Sequence, residues 1–191
     1  PALKYIQKQN YLRRMIDRIG FENPDYDTSC WDTIQVPGHI QLQGYGTPMY
    51  VNQVYPWSGS EELIPPSIPT YNPVGSYVTF FDSKILKPDT RTRIIFHGAE
   101  SGLAVWVNGH FTGYSEDSFT PSSFDITEYL VEGRNKIAVN VYRFTSGSWL
   151  EDPDFCRFSG IFRDVELWSI TSVHVEDIKI TQNTENLASV H

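Results

Sequence analysis

The stretch from Ser146 to Val165 gathers side chains able to hold a polar ligand. Glu151, Asp152 and Asp154 put three carboxylates within four residues, beside Trp149, Phe155 and Phe158, with Arg157 and Arg163 close by. Carboxylates accept hydrogen bonds from hydroxyls, and aromatic faces cover apolar C–H surfaces, which is the mixture a sugar needs. Clustered hard oxygens also suit a cation such as Na+, Mg2+ or Ca2+. The same residues would equally make an Arg–carboxylate network that pins a loop to a scaffold. The pattern alone leaves both open.

Other chemistries lack their residues. There is no Walker loop, no G-x-G-x-x-G, no G-x-S-x-G elbow and no H-E-x-x-H. His39, His97, His110, His174 and His191 are scattered and read as structural or surface residues. Cys30 and Cys156 are too few for a disulfide framework or a four-ligand zinc site. The balance of 15 basic against 23 acidic residues, net −8, disfavours nucleic acid and anionic membranes, which need clustered Lys and Arg. No apolar run reaches the roughly 18 residues of a membrane span, no signal-peptide core appears, and no Asn-x-Ser/Thr sequon occurs. An aromatic content of 14% argues against disorder.

The loop residues need a rigid support, and the chain supplies it in β form. A length of 191 residues suits one large domain, or one domain with a short appendage. Ser76 to Phe81, Arg93 to His97, Leu103 to Val107, Lys136 to Phe144 and Asp164 to Ile170 are rich in Val, Ile, Tyr, Phe and Thr. Asn108-Gly109, between the run ending at Val107 and the one starting at His110, is a strong hairpin signal. Ser123 to Leu130 predicts a strand and one helical turn, closed by Glu132-Gly133. No long amphipathic helix follows residue 20, so the reading is all-β, an antiparallel sandwich. Leu3 to Arg18 partly suits a short helix that Gly20 and Asn23-Pro24 would stop. Asn23 to Pro73 interleaves prolines with Tyr26, Trp31, Tyr45, Tyr50, Tyr55, Trp57 and Tyr71, which predicts an ordered coil packed on the scaffold. Ser172 to Thr181 reads as one further strand. A start at Pro1 and a polar last ten residues lead us to expect a piece of a longer protein.

A series of blocks, in order from about Trp31 to Ile170, resembles the sugar-binding domain of the large lac-type β-galactosidases of glycoside hydrolase family 2. They are Val36-Pro-Gly-His-Ile-Gln-Leu-Gln-Gly-Tyr-Gly, Pro48-Met-Tyr-Val-Asn, Tyr55-Pro-Trp and Asn72-Pro-Val-Gly-Ser-Tyr. Val107-Asn-Gly-His-Phe-Thr-Gly-Tyr-Ser-Glu-Asp-Ser, Phe124-Asp-Ile-Thr, Trp149-Leu-Glu-Asp-Pro-Asp-Phe and Arg157-Phe-Ser-Gly-Ile-Phe-Arg-Asp-Val complete the series. Related glucuronidases and mannosidases carry the same domain, but the last two blocks resemble the β-galactosidase branch.

The resemblance implies a jelly-roll β-sandwich of the galactose-binding type over 31–170. Before it lies an N-terminal extension, 1–30, with a short helix. After it, 171–191 would be a linker and the first strand of an immunoglobulin-like domain. Both catalytic glutamates are implied to sit on a later (β/α)8 barrel, which also carries Mg2+, so no catalytic residue is assigned here. Asn72 and Asp154 match residues lining the galactose subsite, and Asp154 also matches a ligand of Na+ whose other protein ligands come from the barrel. A side-chain amide gives hydroxyls both a donor and an acceptor, although Asn-Pro is also an ordinary turn dipeptide. Cys156 departs from the pattern, standing where an aromatic is usual.

The leading expectation is therefore a non-catalytic domain that completes the galactose subsite of an enzyme cleaving terminal β-D-galactosides such as lactose. Its expected partners are the β-galactoside and the remaining domains of a parent that is a homo-oligomer, with no nucleic acid and no membrane. A stand-alone carbohydrate-binding module is the alternative, and a domain serving mainly subunit contacts is a third reading. Two cysteines and no signal point to bacterial cytoplasm.

Overall fold

The computed structural model describes residues 5–6, 20–151, 154–182 and 189–190. The first strands are β1 (Tyr5–Ile6), β2 (Asp32–Thr33), β3 (Met49–Val51), β4 (Val74–Asp82) and β5 (Thr90–Phe96). Next come β6 (Ala99–Glu100), β7 (Gly102–Val107), β8 (His110–Ser115), β9 (Ser122–Asp125) and β10 (Arg134–Tyr142). The chain continues with β11 (Phe155–Arg157), β12 (Gly160–Ile161), β13 (Val165–Thr171), β14 (Ile180–Thr181) and β15 (Ser189–Val190). Among the described residues only short 3-10 turns interrupt them, and no helix there is long and apolar enough to cross a membrane.

The five β runs expected from composition all appear, as β4, β5, β7, β10 and β13. Two antiparallel sheets face each other, one in the order β2-β1-β4-β10-β7-β8 and one in the order β13-β5-β9. Alternation along the strands fills the space between them with Tyr77, Ile94, Phe96, Val105, Val107, Val139 and Val141, all buried. The opposite face of the larger sheet is also covered. Val78 and Ala138 pack there under Phe21 and Trp31, with Phe80 and Trp106 at the margin. The Lys136 ammonium donates to the Asn23 carbonyl, which ties that N-terminal cover down. This is a jelly-roll sandwich, as the sequence led us to expect.

The Asn108-Gly109 hairpin forms with both residues at positive φ, 50° and 85°, the type I′ geometry that suits strand twist. Asn108 then anchors the neighbouring turn, donating to the Tyr129 carbonyl and accepting from the Lys136 backbone N–H. The strand and turn read over Ser123 to Leu130 appear as β9 and a 3-10 turn at Thr127–Tyr129.

Two expectations come out differently. The N-terminal helix gains no support: Tyr5–Ile6 is strand, paired with β2 and β4, and residues 7–19 lie outside the described residues. The strand expected over Ser172 to Thr181 is regular only at Ile180–Thr181, which pairs with Ser189–Val190. Val173, Val175 and Ile178 are exposed, so these apolar side chains have no sheet face to bury against.

Glu100, on β6, is the core's unusual member at 3% exposure. One carboxylate oxygen accepts from the Phe158 N–H at 3.1 Å and the other lies 3.9 Å from His39 Nδ1. Burial pushes its pKa up to about 7; the Phe158 bond opposes the rise, the Glu151 charge adds to it, and Arg157 and Arg143 oppose it. Unfolded, the group ionises near 4.5; folded, it keeps its proton until about 7. Its contribution to stability is thus fully present below the lower value and is lost as pH rises through the upper one. Glu100→Gln, which can still accept from Phe158, is expected to flatten this decline and to stabilise the chain above pH 7 by up to ~3 kcal/mol. Urea titrations at a series of pH values check this; a variant with the wild-type pH slope would refute it.

Candidate functional site

The connection between β10 and β11 gathers the acidic and aromatic residues at one end of the sandwich. It leaves β10 through a 3-10 turn at Ser146–Trp149, closed by a capping box between Thr145 and Ser148. Beneath it the Ser101 hydroxyl bonds Thr145 Oγ1 at 3.0 Å and Ser148 Oγ at 3.3 Å. Glu116, from the β8–β9 connection, accepts from the Gly147 N–H at 2.7 Å, the Ser146 hydroxyl and the Tyr114 hydroxyl. Burial alone would raise the Glu116 pKa, but those bonds and one from Thr145 outweigh it and hold the carboxyl below its ordinary range.

Two adjoining clefts open here. The larger, about 680 Å³, is walled by Pro65, Asp117, Phe119, Trp149, Leu150 and Glu151. The smaller, about 450 Å³, is lined by Asn72, Tyr114, Tyr142 and Phe144 among others. They share Pro66, Glu116 and Ser146. Asn72 and Trp149, far apart in sequence, therefore face parts of one concave surface. Carboxylates, hydroxyls and an aromatic wall can accept from, donate to and cover a polyhydroxylated ligand.

Asn72 also does structural service. Its Nδ2 donates to the Phe144 carbonyl at 2.7 Å while its Oδ1 accepts from the Phe144 N–H at 2.9 Å. The side chain thus pairs with the chain leaving β10 as another strand would. Pairing of this kind leaves one N–H and one lone pair of the amide for other partners.

The carboxylate cluster divides. Glu151 accepts from the buried Arg157 guanidinium at 2.6 Å and from the Ser118 hydroxyl, so the Arg–carboxylate network foreseen as one alternative is formed there. Asp154 lies apart, exposed, with the Tyr50 hydroxyl donating to its Oδ1 at 2.7 Å. That bond heads the causes that raise the Tyr50 pKa. Asp154 lines neither cleft, and Asp152 lies outside the described residues. Cys156 sits across from Tyr50 in the β11–β3 pairing and is exposed. Among the described residues no group of three or more His, Cys, Asp and Glu could by itself hold a metal ion.

Sequence reasoning did not single out Glu116 and Asp117. Their adjacency inside the Val107–Ser118 block was the available signal, but nothing local shows that Glu116 reaches across to Gly147. Arg163, expected near the acidic cluster, instead donates to the Phe119 and His97 carbonyls.

A jelly-roll sandwich with a hydroxyl-, acid- and aromatic-lined surface at its loop end defines a carbohydrate-facing β module. The chain belongs to the glycosyl hydrolases family 2, sugar binding domain, whose profile matches residues 20–171. It is 59% identical over 161 residues to a β-galactosidase of Clostridium acetobutylicum, covering 84% of this chain and 18% of that protein. It is 44% identical over 185 residues to a β-galactosidase large subunit of Leuconostoc lactis, covering 90% of this chain and 30% of that one. The fold is similar to that of a β-glucuronidase from Bacteroides uniformis (TM-score 0.66, 18% identity, 99% of this chain and 20% of that chain). The chain therefore spans less than a third of the curated relatives named here.

The two bonds between Asn72 and Phe144 predict a stability cost for Asn72→Ala, about 1–3 kcal/mol, since both groups of a partly buried backbone lose a partner. Urea unfolding at fixed pH measures it. A change within about 0.5 kcal/mol would mean that the pairing contributes nothing to stability.

Proposed function

We propose that this chain is the sugar-subsite-completing, non-catalytic domain of a β-galactosidase that cleaves terminal β-D-galactosides such as lactose. The observation that carries this is the pair of adjoining clefts, with Asn72 in one, Trp149 and Glu151 in the other, and Glu116 shared. High identity to proteins named β-galactosidase over nearly the whole chain supports the choice of substrate class.

In this reading the contribution to catalysis is positional. Asn72 offers its remaining donor and acceptor to sugar hydroxyls, and its bonds to Phe144 fix the amide plane before the sugar arrives. Holding a substrate in its reactive pose removes entropy that the chemical step would otherwise lose. Asp154 would be one corner of a Na+ site whose other protein ligands come from a catalytic barrel; the ion would polarise a sugar hydroxyl. Tyr50 fixes the Asp154 carboxylate for that role. The two carboxyl groups of a retaining glycosidase, about 5–5.5 Å apart, would belong to the barrel. The exposed Leu150 and Tyr71, beside this end of the sandwich, fit a surface that other domains of a larger, oligomeric enzyme cover.

Asp154→Ala separates these roles. In the isolated chain, stability is expected to change by no more than about 0.5 kcal/mol, because both Asp154 and Tyr50 are exposed. In the full-length enzyme, kcat/KM for a β-galactoside is expected to fall on the order of 10- to 100-fold. Replacing Na+ by choline should slow the wild type and leave the variant unaffected. An unfolded isolated variant, or a fully active enzyme, would overturn the assignment.

A further inference from the structure

A third cleft, of about 610 Å³, lies on the outer face of the β13-β5-β9 sheet and shares no lining residue with the two already described. Register builds its floor. Trp168 stands opposite Arg93, which stands opposite Asp125, while Glu166 stands opposite Ile95, which stands opposite Ser123. The segment after β13 bends back to form a wall with His174, Val175 and Glu176.

Trp168 is 49% exposed, an unusual position for an indole without a role. Its Nε1–H donates to Glu166 Oε2 at 2.8 Å, and His97 Nε2 meets the same oxygen at 2.9 Å. The ring's orientation is thereby fixed while much of its surface stays open to water. Across the cleft Glu176 is held by His174 Nε2 at 2.6 Å and lies 3.7 Å from the Arg93 guanidinium.

We propose that this cleft is a separate saccharide-binding site that takes a neutral oligosaccharide. An oriented indole covers the C–H face of a pyranose, and planar polar side chains such as Arg93 and His97 suit pairs of adjacent hydroxyls. The charges select the class: Arg93 lies against Glu176 and His97 against Glu166, so no surplus of positive charge exists to hold a phosphate or a carboxylate. The bonds from His97 and then Trp168 keep the Glu166 carboxyl below its ordinary range, so it stays an acceptor at neutral pH. The size lies within the usual range for small-ligand sites. The inference does not depend on the galactose-subsite reading.

The test is an NMR titration of the 191-residue chain with lactose and, separately, cellotriose, following its five indole N–H signals. The Trp168 signal, assigned by its loss in Trp168→Phe, should move saturably with at least one sugar, with Kd on the order of 1 mM. Trp168→Ala should weaken binding at least about tenfold, and Trp168→Phe should weaken it less. If Trp168→Ala fails to fold, Arg93→Met replaces it and should also weaken binding. Asn72→Ala should leave this binding unchanged. The proposal falls if neither sugar moves the signal, if only Trp149 responds, or if Trp168→Ala binds as wild type. It also falls if the Trp168 signal shifts with protein concentration alone, which would give the face to a second copy of the chain.

Discussion

A buried guanidinium organises the loop end of this domain. Arg157 is 2% exposed, and a charge so placed is tolerated only where acceptors meet it. Its Nη1 bonds Glu151 Oε2, its Nη2 reaches the Glu151 carbonyl, and its own carbonyl accepts from Arg143 Nη2. Arg143 also bonds the Thr47 carbonyl. The end of β10, the acidic connection and the coil before β4 are thus tied through one point. Losing one partner of such a buried pair typically costs about 3–5 kcal/mol. Glu151 is therefore committed to the protein, and the surface left for a ligand is the hydroxyls, the indole and the carboxylates around it.

The Pro-rich coil stays ordered by the same economy of contacts, with rings in place of charges. Tyr55, Trp57 and Trp149 form a triangle with centroids 4.5–5.3 Å apart, and Trp57 meets Phe144 edge-on. Trp149 Nε1 donates to the Ser67 carbonyl, and the Tyr55 hydroxyl donates to the Trp149 carbonyl. Prolines lower the entropy lost on ordering such a segment, and aromatic pairs add contact energy beyond burial. One cleft wall, at Pro65 and Pro66, is therefore rigid without belonging to a sheet.

Much of the fold was legible because it rests on local signals. Val, Ile and Phe runs with period two, and the Asn108-Gly109 turn, carry their meaning within a few residues. The rest depends on long-range pairing that no local pattern encodes. Val173 and Val175 alternate as a strand should, yet strand needs a partner as well as a pattern. Asn72-Pro73 looks like a turn, and only the fold brings Phe144 within reach of its amide. Glu100 follows an apolar run and looks like the polar end of a strand, but the surrounding loops close over it. In the carboxylate cluster, spacing showed that acidic groups were close together; which of them meets Arg157 and which meets Tyr50 was settled by the three-dimensional path of the connection.

The protonation states divide the labour of the acidic residues. A general acid needs a raised pKa together with access to the substrate. Glu116 has access, since it lines both clefts, but its hydrogen bonds hold it ionised. Glu100 has the raised pKa, but it is buried against Phe158 and His39. Access and proton supply thus fall on different residues. What the cleft surface offers at neutral pH is an array of acceptors held rigid from behind. Such an array is better suited to accepting hydrogen bonds from hydroxyls than to protonating a leaving group.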